Sequence, residues 1–120
     1  MSHKILSVCY QECLPVSTIE LLESAGYLMI CTRQLGAAIQ LLQSQQFDLI
    51  LINQTVSHSQ EDLFVHLARE NAQIPSIFVS SEVQVIPEGV SVWLKPPVSA
   101  KELLRRVEEL LPPAKDQLET

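Results

Sequence analysis

The residues in this chain whose types and spacing could carry chemistry are few. Cys9 and Cys13 form a C-x3-C pair, a spacing open to metal binding, to redox sensing, or to two incidental buried thiols, the plainest of the three. A zinc site needs four ligands; beyond this pair the chain has Cys31 and the histidines His3, His58 and His66, none placed near it by sequence. His58 and His66 are read as surface or second-layer polar groups, and no Ser-His-Asp arrangement can be assembled from them. Gly26, Gly36 and Gly89 stand isolated, so no glycine-rich phosphate loop is present. Asn53 is the most informatively placed polar residue. It ends the run FDLILIN at 47–53, and an unbroken apolar run of that length suits a strand buried on both faces. Open parallel sheets place their chemistry at the carboxyl ends of such strands.

The elements that must position these residues alternate. Ile5–Cys9 reads as a first strand. Pro15 opens a helix, where its missing N–H costs little, with Thr18, Leu21, Leu22 and Ala25 on one stripe and Gly26 as a left-handed cap. Tyr27–Thr32 is a second strand. Leu35, Ala38, Ile39 and Leu42 have the i, i+3, i+4, i+7 spacing of an amphipathic helix. After the third strand, Ser59 to Asp62 resembles a capping box opening a helix with Leu63, Phe64, Leu67 and Ala68 inward. Ser76–Ser80 is strand four. Only Ser81–Glu88, with Pro87 inside it, separates this strand from Gly89, too short for a crossover helix with its connections. Val90–Leu94 is strand five. Ser99 then caps a helix with Glu102 at its third position, and Leu103, Leu104, Val107, Leu110 and Leu111 form its apolar stripe. Pro112-Pro113 stops it.

This alternation predicts an α/β fold of three layers around a doubly wound, five-stranded parallel sheet, its fourth helix shortened or absent. The expected strand order is 2-1-3-4-5, the usual five-strand solution. The domain is expected to span residues 1–113, with 114–120 a flexible C-terminal tail.

At 120 residues and 47% apolar content the chain is long enough for one core. A formal charge of −6 without a long Lys/Arg cluster argues against nucleic acid as a direct partner. The start MSHKILSVCYQE has no long apolar core of an export signal, and no stretch reaches the length of a membrane span. Three cysteines, an odd number, fit free thiols in a reducing cytoplasm better than a disulfide framework.

From about Lys4 to Leu111 the sequence resembles the CheY-like receiver domain of two-component response regulators. The resemblance rests on FDLILIN at 47–53, IPSIFVSS at 74–81 and WLKP at 93–96, with sixteen residues from Tyr10 to Gly26 and twenty-seven from Gly26 to Asn53. It implies a phosphoacceptor aspartate at the end of strand three, where this chain has Asn53. It implies an acidic Mg²⁺-binding pair at the end of strand one, where this chain has Cys9 and Tyr10, with Glu12 nearby. The Ser/Thr after strand four and the Lys-Pro after strand five are retained as Ser80 and Lys95-Pro96, and the aromatic switch position of strand five matches Val92, with Trp93 beside it.

A thiol, a phenol and an amide bring no formal charge to Mg²⁺, and an amide is not a competent phosphoryl acceptor. The resemblance therefore implies a degenerate pseudo-receiver: no catalytic residue, no metal, no cofactor, and a signalling role through a protein partner. Asn53 is either structural, tying loops or bonding Lys95, or a ligand or partner sensor. Lys95 either cradles the old site or reaches solvent, and with Ser80 and Asn53 could bind a small anion. Trp93 is either core or interface. Val83, Val85 and Ile86 alternate in the shortened segment and need cover from this chain or a partner. An alternative is regulation by a small ligand or anion at Asn53, Ser80 and Lys95, or a role as the regulatory part of a longer two-component protein. Monomer and homodimer both stay open.

Overall fold

The computed structural model describes residues 3–9, 14–53, 71, 73–79, 91–95 and 98–111. The strands are β1 (Lys4–Cys9), β2 (Leu28–Thr32), β3 (Leu49–Asn53), β4 (Ser76–Val79) and β5 (Val92–Leu94), and the helices among the described residues are α1 (Val16–Ser24), α2 (Leu35–Ser44) and α3 (Ala100–Leu110). All strand pairs are parallel, as the alternation of elements predicts, and the order is β2-β1-β3-β4-β5, the expected five-strand solution. The expected helix carrying Leu63, Phe64, Leu67 and Ala68 and the shortened segment Ser81–Glu88 lie outside the described residues.

Two apolar clusters sit on opposite faces of the sheet. Leu6, Val8, Ile50, Ile52 and Phe78 pack with Ala38 and Phe47 on the α2 side. Ile5, Leu49, Leu51, Ile77, Val79 and Leu94 pack with Leu22, Tyr27, Leu103 and Val107 on the side of α1 and α3. The alternation within β3 explains its unbroken apolar sequence, because each face needs its own row. Full burial of side chains such as Ile50 and Leu51 contributes roughly 1.5–3 kcal/mol apiece.

Local chemistry sets the helix ends. Tyr27 N–H donates to Leu22 O at 3.2 Å and Gly26 N–H to Glu23 O at 3.0 Å, the paired bonds of a Schellman motif. Gly26 holds φ +102°, a conformation that side-chain-bearing residues avoid. Tyr27 and Leu22 share one apolar cluster, which supplies the motif's hydrophobic contact. At α3, Ser99 Oγ accepts from Glu102 N–H at 3.1 Å, the expected cap.

Several boundaries differ from the sequence reading. Pro15 is the residue before α1, with extended ψ 149°, rather than its first helical residue; its carbonyl accepts from Thr18 and Ile19. In α1 the buried positions are Thr18 and Leu22, while Ala25 is exposed. In α2 the inward arc runs through Ala38, Leu41 and Leu42, which leaves Ile39 40% exposed. At 100° per residue, Ile39 lies well off an arc centred between Ala38 and Leu41. β2 begins at Leu28, because Tyr27 is taken up by the helix cap. β5 begins at Val92.

The amino ends of the strands are tied by charge-assisted bonds. Lys4 N–H donates to Asp48 Oδ2 at 2.7 Å, Asp48 N–H returns to Lys4 O at 2.8 Å, and His3 Nδ1 lies 3.7 Å from the same carboxylate. This knot joins β1 to the entry of β3 and leaves the carboxyl ends for other chemistry. No helix among the described residues is long and apolar enough to cross a membrane.

Candidate functional site at the carboxyl end of the sheet

In a sheet of order 2-1-3-4-5 the crevice for ligands opens where the winding reverses, between β1 and β3. Cys9 is the last residue of β1, Asn53 the last of β3, and the two are register partners. Asn53 also pairs with Val79 of β4, and Val79 with Leu94 of β5. Lys95 follows Leu94 directly and is exposed. The fold thus delivers Cys9, Asn53 and Lys95 to one end of the sheet, the first two on adjacent strands. Tyr10 and Ser80, the other positions named from sequence, lie outside the described residues, as do Val83, Val85 and Ile86.

By strand alternation Cys9 and Asn53 continue the rows of Ile5 and Ser7 and of Leu49 and Leu51, the rows that face α1 and α3. Cys9 is fully buried and Asn53 half-buried. Trp93 belongs to the opposite face. It pairs with Phe78 and packs against the cluster around Leu6, Ile52 and Phe78 while staying half-buried, so it joins the core without being enclosed by it.

Cys9 departs from the expectation of free thiols. Cys9 is not a free thiol but one half of a disulfide. Its Sγ lies 3.6 Å from Thr32 O, a contact rather than a hydrogen bond, since a disulfide sulfur carries no proton. Cys31 is free and exposed, and Cys13 lies outside the described residues. An odd cysteine count argues against pairing every cysteine; it does not argue against pairing two.

Cys31 is the functional-looking residue that sequence reasoning left unplaced. It pairs with Ser7 across β1 and β2, on the same face as Cys9 and two residues off its register. Burial and the Glu23 carboxylate push its thiol pKa up, while Ser7 Oγ pulls weakly the other way. Ser7 Oγ is itself buried without a well-formed hydrogen bond. A raised pKa keeps Cys31 protonated and slow to attack a nearby disulfide. Among the described residues no group of three or more His, Cys, Asp or Glu side chains gathers as a metal site.

With this geometry in place, the likeness to solved structures can be stated. A CheY-like receiver domain protein from Methanospirillum hungatei superposes with TM-score 0.76 at 19% identity, with 100% of each chain covered. A response regulator from Thermotoga maritima gives 0.75 at 18%, covering 92% of this chain and 98% of its own. An orphan response regulator of H. pylori gives 0.71 at 19%, covering 92% and 97%. No protein-family model matches the chain and no curated protein is significantly similar to it. The chain has the fold of the response regulator receiver domain.

Proposed function

We propose that this chain is a receiver-like signalling domain that works without phosphoryl transfer, by binding a protein partner in the cytoplasm. The observation that carries this reading is Asn53 at the carboxyl end of β3, seated between Cys9 and Val79. In the resembled family that place belongs to the phosphoacceptor aspartate. A carboxamide nitrogen is engaged in amide resonance and its oxygen is a poor nucleophile, so Asn53 cannot form the acyl phosphate that an aspartate forms.

The groups around it do not fit Mg²⁺ either. This hard cation takes anionic oxygen ligands, whereas Cys9 presents a buried disulfide sulfur and Asn53 a neutral amide. Tyr10, Ser80 and Lys95 complete the set of positions matched to the family's site, and Lys95 adds positive charge, which opposes a cation. No catalytic step is assigned to this domain.

What remains is a scaffold whose information lies on its surface. Trp93, half-buried on the α2 face of the edge strand β5, and Val83, Val85 and Ile86 in the segment before it are the residues proposed to contact the partner. The fold supports this reading because receiver-like neighbours are components of signalling systems.

The test is incubation with acetyl phosphate and Mg²⁺, followed by intact-mass spectrometry. The reading expects no phosphoryl increment. A hydroxylamine-labile phosphoryl adduct, the mark of an acyl phosphate, contradicts it.

A further inference from the structure

Among the described residues β2 is an edge of the sheet, five residues long and paired only with β1. Leu28 N–H donates to His3 O at 2.8 Å, so Leu28, Ile30 and Thr32 direct their main-chain groups toward β1. By alternation Met29 and Cys31 direct theirs away from the sheet. Nothing in LMICT blunts this edge. It holds no charge and no proline, and its register with β1 runs unbroken, whereas solvent-facing edges are commonly guarded by a lysine, a proline or a bulge. Leu28 is 49% exposed, and Cys31 is exposed beside it. We propose that two copies of this chain pair through their β2 edges, antiparallel about a two-fold axis at Ile30, to form one continuous sheet.

The strand is its own complement. With the axis at Ile30, Met29 of one copy faces Cys31 of the other, and these are the residues whose N–H and C=O point outward. Each such pair exchanges both main-chain bonds, the hydrogen-bonded pair of an antiparallel ladder. Ile30 packs on the Ile30 of the second copy and Leu28 on its Thr32, which covers the apolar row. An axis at Met29 or at Cys31 keeps the bonding pattern but leaves one end of the strand unmatched. The contact is isologous, so it closes at two copies.

Charge favours the same register and a second copy as its occupant. Arg33, exposed just beyond β2, falls opposite Tyr27 of the second copy. Tyr27 closes the cap of α1, and Glu23, exposed in the last turn of that helix, accepts from Gly26 N–H within the cap. Glu23 also lies along β2, because after burial its carboxylate adds to the raised pKa of the Cys31 thiol. Arg33 of each copy therefore meets Glu23 of the other, and the two-fold makes the pair twice. Parallel pairing of the same strands would set Arg33 beside Arg33, so charge selects the antiparallel direction. This pairing is independent of the reading of Asn53.

The experiment follows the full chain by sedimentation velocity across a concentration series, with amide hydrogen exchange read residue by residue at both ends of it. A dimer is expected, and with it slow exchange of the Met29 and Cys31 amides that quickens on dilution. Arg33→Glu should weaken the dimer roughly tenfold, and adding Glu23→Arg should restore it, because the reversed charges pair again. Cys31→Pro removes an outward N–H without touching the ladder to β1, so it should leave a monomer whose β1 amides stay protected. A monomer at every concentration overturns the proposal and leaves the edge to a different partner. Slow exchange at Met29 and Cys31 in a monomer, the mark of another segment of the same chain on the edge, overturns it as well. A dimer whose Met29 and Cys31 amides exchange freely uses another surface and also overturns it, and one indifferent to charge reversal at Arg33 overturns the register.

Discussion

Cys9 and Asn53 stand side by side as the terminal residues of β1 and β3, the strands that flank the reversal of the sheet. A receiver needs negative oxygen at both positions to hold a metal and accept a phosphoryl group. This chain has an oxidised sulfur at one and an amide at the other. On the proposed reading the consequence reaches beyond the pocket, since a domain not switched by phosphate is read or regulated in some other way.

The Schellman cap of α1 makes a clean stability test. Gly26 holds φ +102°, and a Cβ added there would meet no atom within 4 Å. The cost of Gly26→Ala is therefore backbone strain alone, about 1–2 kcal/mol. Gly26→Asn, which tolerates the left-handed region better, should lose less. Urea unfolding of the three proteins checks the order, with unchanged m-values if only the native backbone is affected.

Tyr27 links that cap to the far end of the chain. Its hydroxyl donates to Leu111 O at 3.3 Å, and burial, with a smaller contribution from Glu108, raises its pKa above the ordinary tyrosine value. A raised folded-state pKa means the native protein holds this proton more tightly than the unfolded chain. The associated stability is present below about pH 10 and is lost as pH rises through the folded value. Tyr27→Phe should lower stability at neutral pH by roughly 0.5–1.5 kcal/mol and flatten the alkaline decline. Thermal melts from pH 7 to 11 read both effects.

Ser99→Ala removes the acceptor for Glu102 N–H at the start of α3. The expected loss is about 1 kcal/mol. It should appear as a lower melting midpoint without a change in the amide shifts of β1 or β3, because the cap lies in the helical layer. Ser99→Asp should restore most of the loss.

Much of this architecture was legible in the sequence, and the residues show why. LILI at 49–52 suits a strand covered on both faces better than one with a wet face, and Gly26 and Ser99 announced their helix ends through backbone and capping chemistry. The strand order matches the usual five-strand solution, which the alternation of elements allows but does not fix. What sequence could not supply were relations between distant residues. The Tyr27 hydroxyl meets Leu111 across eighty-four positions, and no local pattern encodes that bond. Ile39 matched the helical stripe by spacing, yet the arc that faces the sheet is set by where α2 lies on β1 and β2. The state of Cys9 departs from the expectation because an odd count of cysteines rules out pairing all three and leaves one pair possible. Asn53 was placed at the site by the apolar run it ends and Cys9 by resemblance, and their adjacency came from the register.

The central claim is that the phosphoryl switch is absent, and the most direct measurement is an NMR titration with Mg²⁺ and beryllofluoride, which mimics a phosphoryl group on a receiver aspartate. The account predicts that the Asn53 amide and its neighbours Ile52 and Val79 do not move beyond bulk ionic effects. Saturable shifts centred on Asn53 would contradict it.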